Sequence, residues 1–182
     1  MSETNELKTL YAGRHLSLVA RGRWEFATRP VRRPAVGIIA ITEDDRVVLV
    51  EQFRVPVEET VIELPAGLTG DIAGSEHESL LESAKRELRE ETGYEAEHWT
   101  ELGRGYSSPG LTDEMIVLFL AEGISKRGSG GGDGSENITV HEVPFQQVMA
   151  WLTERGAKAD LKLLAGLYAV REFRSGRGQS HE

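Results

Sequence analysis

The densest group of side chains that could do chemistry lies in one acidic stretch near the middle of the chain. It reads Arg86-Glu87-Leu88-Arg89-Glu90-Glu91-Thr92-Gly93-Tyr94, with Glu78 eight residues ahead of Arg86. At about 100° per residue on a helix, Glu87, Glu90 and Glu91 share one flank. Such a flank can bind a divalent cation. It can equally be a solvated acidic face, because each like-charge pair costs a helix only roughly a few tenths of a kcal/mol.

An apolar stripe beside this flank predicts that the stretch is a helix packed on a core. The apolar residues that recur at helical spacing are Leu80, Leu81, Ala84 and Leu88. Gly93 is suited to end the helix, which we expect to span residues 76–91. The carboxylates would then border the core.

The available donors limit the metal that such a flank could hold. The chain of 182 residues has no cysteine, and its five histidines are scattered without the spacing of a ligand pair. Oxygen ligands favour Mg²⁺, Mn²⁺ or Ca²⁺ over zinc. Ser108 lacks a matching His and Asp arrangement, which argues against covalent serine catalysis.

Charge and hydropathy argue against two classes of partner. Thirty acidic against 21 basic residues give a formal charge of −9, which would repel nucleic acid. The longest apolar runs, such as residues 115–121, are far below the roughly 18 residues that cross a bilayer. The first residues, Met-Ser-Glu-Thr-Asn-Glu, resemble no secretory signal, so we expect a cytoplasmic protein without a membrane partner.

The elements that must position the acidic helix are mostly short strands. Segments rich in valine, isoleucine and aromatic residues predict strands at 13–20, 23–28, 35–42, 46–53, 98–106, 114–122 and 137–143. The turn Glu43-Asp44-Asp45 suggests a hairpin. Two further helices are predicted, one beginning at Pro144 and one spanning residues 160–171.

Two segments are predicted to lack regular structure. Residues 125–135 contain five glycines in eleven positions and are expected to form a mobile loop, and the polar tail from Ser175 is expected to be frayed. The order of strands and helices indicates one α+β domain, with helices layered on a mixed sheet.

The acidic stretch resembles a known motif, the Nudix box. The matching pattern is Glu78-x7-Arg86-Glu87-Leu88-x-Glu90-Glu91-x-Gly93-Tyr94. Members of the Nudix family hydrolyse a nucleoside diphosphate linked to another group. The segments Glu51-Gln52-Phe53-Arg54 and Glu63-Leu64-Pro65-Ala66-Gly67, with Pro109 sixteen residues past Gly93, resemble the ADP-ribose and nucleotide-sugar pyrophosphatase branch. The resemblance covers residues 23–152 and implies a Nudix-type α/β/α sandwich.

One position departs from the family pattern. The box should begin with glycine six residues before Glu78, where this chain has Ile72. Ala66-Gly67 supplies that glycine by context, which implies about five inserted residues within 69–74. Because an insertion in a loop leaves neighbouring elements intact, we expect an unaltered metal helix and altered substrate contacts. The role of Glu78 is the one most affected.

The resemblance implies a set of metal ligands and a water nucleophile. Glu87, Glu90 and Glu91 would bind Mg²⁺, with Mn²⁺ as an alternative, and the backbone carbonyl of Ala66 would add an oxygen. An acidic protein can hold a pyrophosphate only if cations intervene.

The resemblance also implies roles near the reacting water. Arg86 would orient Glu78 or Glu82, because a guanidinium among the ligands would compete with the metals. Glu136 in the glycine loop is the candidate general base, with Asp133 and Glu114 as alternatives.

Three residues are candidate substrate contacts. Arg54 would bind phosphate or ribose through its planar fork of donors. Trp24 could stack on a base, although its position on a strand with Phe26 favours core packing. Pro109 lies where the branch carries a proline, while Trp99 and Trp151 are interpreted as core residues.

The implied activity is metal-dependent hydrolysis of ADP-ribose or another nucleoside diphosphate sugar to a nucleoside monophosphate and a sugar phosphate. The alternatives are hydrolysis of nucleoside triphosphates or dinucleoside polyphosphates, and a noncatalytic nucleotide-sugar sensor. The branch is commonly homodimeric. We therefore expect residues 1–34 to form N-terminal strands exchanged in a dimer, 35–174 the Nudix domain and 175–182 a polar tail.

Overall fold

The computed structural model describes residues 6–70, 74, 77–132 and 137–179, which form an α+β fold of strands and three α-helices. The strands are β1 Lys8–Ala12, β2 Ser17–Arg21, β3 Trp24–Thr28, β4 Ala35–Ile41, β5 Arg46–Arg54, β6 Glu59–Glu63, β7 Ala66–Leu68, β8 Tyr94–Tyr106, β9 Met115–Lys126, β10 Thr139–Pro144 and β11 Lys158–Ala159. The helices are α1 Leu80–Thr92, α2 Val148–Arg155, which follows a 3₁₀ turn at Phe145–Gln147, and α3 Leu161–Gln179.

The main sheet has eight strands and is mixed. Its order is β11-β6-β5-β4-β9-β8, with β10 paired to β5 and β7 paired to β4. Strand β4 runs parallel to β9 and antiparallel to β5, which it meets through Ala40 and Ile41. The hairpin predicted around Asp44 is therefore confirmed.

Helices cover both faces of this sheet because side chains alternate along its central strands. In strand β4, Ile39 belongs to a core cluster that includes Leu163 of α3. Its neighbour Ile38 belongs to a second cluster, which includes Leu88 of α1. All four side chains are fully buried. The predicted α/β/α sandwich is confirmed.

The N-terminal strands form a separate antiparallel sheet in the order β1-β2-β3. It meets the rest of the chain where the backbone N–H of Ala27 donates to the carbonyl of Leu111 at 2.8 Å. The Thr28 hydroxyl also donates to Asp113 at 2.9 Å. Every residue of β1 is exposed, so this sheet has little covering in the single chain.

Several elements differ from the sequence-based expectations. The strand predicted at 13–20 begins only at Ser17, because Gly13 donates to the carbonyl of Leu16 in a turn that follows β1. Strands β1, β6 and β7 were not predicted. Strand β9 continues to Lys126, into the segment expected to be a loop.

The frayed tail predicted from Ser175 is wrong as far as Gln179, because α3 continues to that residue. Arg174 pairs with Asp45 at 2.7 Å and Arg177 approaches Glu122 at 3.6 Å. These ion pairs hold the polar end of the helix against the main sheet. Within the described ranges, no helix is long and apolar enough to cross a membrane.

Candidate active site

Helix α1 is fixed at both ends by capping groups. The side-chain oxygen of Ser79 accepts the backbone N–H of Glu82 at 3.2 Å, which satisfies a donor of the first turn. Gly93 ends the helix with a φ of 74° and donates to the carbonyl of Arg89 at 2.9 Å. This is the left-handed ending expected from the sequence.

The acidic flank of α1 lies at the border of the core. Ala84 and Leu88 are fully buried, and this burial carries two neighbouring carboxylates inward, with Glu87 only 8% and Glu91 only 3% exposed. The side chain of Glu90 is 37% exposed. The prediction that these carboxylates border the core is confirmed.

Strand β7 lies directly against the buried carboxylates. The backbone N–H of Ala66 donates to Oε2 of Glu91 at 3.0 Å. A Cβ at position 67 would lie 2.0 Å from Oε1 of Glu87, so only glycine leaves room for that carboxylate. The structure thus brings Ala66 beside Glu91 and Gly67 beside Glu87.

Arg86 is bound by carboxylates on both sides. Its Nη1 lies 2.7 Å from Glu87 and 3.1 Å from Glu90, while its Nε donates to Glu78 at 3.2 Å. Its Nη2 also donates to the carbonyl of Leu68 at 3.2 Å. Burial opposes the charged guanidinium, but the bond to Glu78 and the charges of the other acids raise the pKa of Arg86.

These contacts place Arg86 closer to the predicted ligands than the sequence suggested. Glu78 is its partner, as expected, whereas Glu82 pairs with Lys85 at 2.9 Å instead. Burial alone would raise the pKa of Glu78, but hydrogen bonds from Arg86 and Ser83 hold it below its usual value. Arg86 therefore orients Glu78 and two of the predicted metal ligands together.

The donor set fits a hard divalent cation in kind, since it consists of carboxylate oxygens and the backbone of Ala66. In the part of the chain that the structure describes, no three acidic or histidine side chains form a preassembled metal cluster. Glu87 and Glu90 instead converge on Arg86. Metal binding would have to exchange these contacts for metal–oxygen bonds.

A cleft of about 760 Å³ opens beside the flank. Its lining includes Glu87, Glu91, Ala66 and Gly67 of the acidic flank and a second group that we call the basic wall, made of Arg29, Arg54, Glu63, Asp160 and Lys162. Acidic side chains that can hold a cation thus line the same cleft as guanidinium groups that can hold phosphate oxygens.

The basic wall contains a network of ion pairs that the sequence did not predict in full. Arg54 binds Glu63 with both edges of a fork, Nε at 2.5 Å and Nη2 at 3.0 Å. Lys162 donates to the same carboxylate at 3.4 Å and also pairs with Asp160. Burial alone would raise the pKa of Glu63, but Arg54 and Lys162 lower it, so the carboxylate stays ionised.

Trp24 and Pro109 line a pocket of about 440 Å³ together with Phe26 and Tyr106. Trp24 is 57% exposed, so the expectation that it packs in the core is wrong. The reason is that β3 belongs to the separate N-terminal sheet. Tyr106 also lines a neighbouring pocket of about 430 Å³, which shares Lys162 with the cleft.

Of the three candidate general bases, the structure describes only Glu114. Glu114 lines the cleft and pairs with Arg29 at 3.1 Å. Asp133 and Glu136 lie outside the described residues. The backbone before them is held to helix α1, because Gly132 donates to the carbonyl of Glu90 at 3.1 Å.

Comparison with known proteins is consistent with this geometry. Over 127 residues the chain is 39% identical to the "Methanol dehydrogenase activator" of Bacillus methanolicus, and over 130 residues it is 38% identical to the "ADP-ribose pyrophosphatase" of Bacillus subtilis. Each match covers 69% of this chain and 66% of the relative, so the chain spans about two thirds of these proteins.

A solved structure, the "Crystal structure of ADP compounds hydrolase", has the same fold. It superposes with a TM-score of 0.75 at 24% identity, over 95% of this chain and 94% of the other. The family model described as "NUDIX domain" matches residues 31–167, a stretch that contains the acidic helix and the residues named above in the cleft lining except Arg29. The chain therefore belongs to the NUDIX domain family.

Proposed function

We propose that the protein hydrolyses the pyrophosphate bond of ADP-ribose or another nucleoside diphosphate sugar, with release of a nucleoside monophosphate and a sugar phosphate. The observation that carries this proposal is the cleft, which Glu87 and Glu91 line together with Arg54. The name of the Bacillus subtilis relative supports ADP-ribose as the first substrate to test.

In this proposal Glu87, Glu90, Glu91 and the carbonyl of Ala66 hold Mg²⁺, with Mn²⁺ as an alternative. The bound metal would polarise the diphosphate and make a bound water more acidic. The protein's own part is to keep these carboxylates at the flank before the metal binds, and Arg86 does so through its contacts with Glu87 and Glu90, which the metal would replace.

Substrate contacts are proposed on the basic wall and in the aromatic pocket. Arg54 would bind phosphate, because its guanidinium is already oriented by Glu63 at the edge of the cleft. Trp24 and Pro109 would contact the base, since the exposed indole of Trp24 offers a flat surface for stacking.

The first test is Glu91→Gln with saturating Mg²⁺. Glutamine keeps an oxygen that can accept the N–H of Ala66, so the fold should survive, while the lost charge should lower kcat by about 10²-fold or more. Purified protein would be assayed with ADP-ribose, GDP-mannose, UDP-glucose, a nucleoside triphosphate and a diadenosine polyphosphate, and the products identified.

Glu82→Gln is the matched control, because Glu82 is an exposed residue of the same helix. Near-normal turnover by Glu91→Gln would exclude Glu91 as a ligand. Preference for the triphosphate or the diadenosine compound would replace the proposed substrate class, and binding without hydrolysis of any compound would indicate a sensor.

We propose Glu136 as the general base, with Asp133 and Glu114 as alternatives. The support is the hydrogen bond from the backbone N–H of Gly132 to the carbonyl of Glu90, which holds the residue just before this segment against helix α1. Glu136→Gln should lower kcat by about 10²-fold with little change in KM. Initial rates over a range of ADP-ribose concentrations would measure both, and an effect confined to KM would move Glu136 to substrate binding.

We also propose that the protein is a homodimer in which the N-terminal strands are exchanged. The support is the small three-stranded sheet, whose outer strand β1 is exposed throughout and carries Leu10 and Tyr11.

A further inference from the structure

The basic wall of the cleft contains a carboxylate that pairs with two cationic side chains. Glu63 ends strand β6, and its side chain is only 4% exposed. Its Oε2 accepts both Nη2 of Arg54 at 3.0 Å and Nζ of Lys162 at 3.4 Å. A carboxylate this buried is costly unless it is paired, so both cations contribute to keeping it in place.

Arg54 reaches Glu63 along the strand rather than straight across it. In the β5–β6 ladder Arg54 lies directly opposite Glu59, while Glu63 lies opposite Val50. Residues opposite each other in an antiparallel pair have neighbouring side chains. A displaced Arg54 would therefore have the exposed carboxylate of Glu59 as an alternative partner, away from the buried wall.

Lys162 is held from a third element. It lies in the first turn of α3, where Asp160 accepts the backbone N–H of Leu163 at 2.9 Å. The backbone N–H of Asp160 in turn donates to the carbonyl of Ile62 at 3.2 Å, next to Glu63. Lys162 thus bridges two carboxylates, those of Glu63 and Asp160, of which Asp160 is held by the backbone of α3.

Removing this bridge would leave two carboxylates close together without the cation between them. Their mutual repulsion would act on Glu63, and Glu63 is bound to Arg54 through both nitrogens of its fork. The guanidinium of Arg54 would then move with the Glu63 carboxylate, or it would leave Glu63 and pair with Glu59.

We propose that Lys162 is a positioning residue, which fixes Glu63 and through it the guanidinium of Arg54 at the edge of the cleft. The inference rests on the proposed function, in which Arg54 contacts the diphosphate of the substrate. Lys162 itself then acts on substrate affinity without touching the substrate.

A double-mutant cycle tests this dependence. A nonhydrolysable analogue of ADP-ribose would be titrated by calorimetry, with Mg²⁺ present, into the wild type, Lys162→Met, Arg54→Ala and the double variant. Lys162→Met should weaken binding about tenfold, and it should cause no further loss once Arg54 is alanine. With Mg²⁺, the same substitution should raise KM and leave kcat nearly unchanged.

Two further variants separate positioning from bulk charge and from folding. Lys162→Arg should recover most of the affinity, because arginine can bridge the same two carboxylates. Lys126→Met removes an exposed lysine at the end of β9, outside the lining of the cleft, and it should leave the affinity for ADP-ribose unchanged.

Three results would overturn the inference. The Lys162→Met variant could bind ADP-ribose as tightly as the wild type does. Alternatively, the substitution could weaken binding equally with and without Arg54, which would mean that Lys162 contacts the substrate directly. Arg54→Ala could leave the affinity for ADP-ribose unchanged, which would mean that Arg54 does not contact the substrate and that its position does not matter for binding. If the wild type neither binds ADP-ribose nor hydrolyses any compound of the panel, the proposed function fails and this inference fails with it.

Discussion

At the scale of single residues, the acidic site depends on a residue without a side chain. Gly67 allows the carboxylate of Glu87 to lie against the backbone of β7, where any Cβ would meet it at 2.0 Å. A buried carboxylate has few other positions to take, because the interior around it is closely packed. Gly67 therefore determines where Glu87 points.

Gly67→Ala should displace the Glu87 carboxylate and weaken metal-dependent activity. Loss of a group that orients a metal ligand typically costs about 10–100-fold in metal affinity or activity. The Mg²⁺ concentration that gives half-maximal turnover of ADP-ribose would measure the effect. Gly103→Ala is the control, because a Cβ at position 103 meets nothing within 4 Å. Equal Mg²⁺ dependence in both variants would contradict this role of Gly67.

The residue types at the acidic flank could be predicted because they are close in sequence. Glu87, Glu90 and Glu91 share a flank through helical geometry alone. The ion network could not be predicted in the same way, since Lys162 lies 99 residues from Glu63 and meets it only through the fold. Asp160 carried one local signal, an acidic residue just before a predicted helix.

At the scale of elements, the end of α1 and the glycine-rich segment after β9 form one unit. The backbone N–H groups of Arg127 and Gly128 donate to the carbonyl of Gly93 at 2.7 and 3.1 Å. Gly131 donates to the carbonyl of Glu91 at 2.9 Å. The segment expected to be a mobile loop is thus hydrogen-bonded to the end of α1 as far as residue 132.

Gly93→Ala should destabilise the protein more than Gly156→Ala. Both glycines end a helix in the left-handed conformation, with φ values of 74° and 60°. Alanine in that conformation costs roughly 1–2 kcal/mol. A Cβ on Gly93 would also lie 2.2 Å from the carbonyl oxygen of Gly128, whereas one on Gly156 meets nothing within 4 Å.

The difference between the two free energies of unfolding, measured in urea, isolates the contact with the glycine-rich segment. We expect it to be about 1–3 kcal/mol, the usual cost of overpacking. Equal losses would show that this segment adapts without cost to a side chain at position 93.

The elements were predictable where a periodic pattern is long. The central strands β4 and β5 appear close to their predicted bounds, and α1 ends within one residue of its predicted end. It begins at Leu80 rather than at residue 76, because Ser79 caps it there. Strands β6 and β7 escaped prediction because β7 has three residues and β6 is half exposed, so neither shows a period. The position of Ala66 beside Glu91 consequently had to come from family resemblance.

At the scale of the whole molecule, the N-terminal sheet exposes large apolar side chains. Leu10, Tyr11, Leu18 and Trp24 are between 41% and 69% exposed. Tyr11 and Leu18 lie directly opposite each other in the β1–β2 ladder, and exposed apolar side chains that are adjacent in this way are typical of an interface between proteins. The sequence predicted strands here but gave no information on whether they were covered.

Leu18→Asp should weaken the proposed dimer, because it places a charge in the apolar surface of this sheet. Light scattering coupled to size-exclusion chromatography would give the mass of each variant at several concentrations, with the substituted protein shifted towards the monomer. Met149→Asp is the control, since Met149 is a similarly exposed apolar residue of α2. A wild type that runs as a monomer of 20.1 kDa would contradict the dimer itself.

The position of the acidic flank within α1 has a further consequence. Glu90 and Glu91 lie in the last turn of the helix, where the aligned peptide dipoles give a partial negative charge. Both carboxylates therefore stand where a helix disfavours anions. A divalent cation would relieve this conflict, and because it binds the folded chain, its binding energy would add to folding stability. The ions proposed to support hydrolysis would then also raise the melting temperature of the protein.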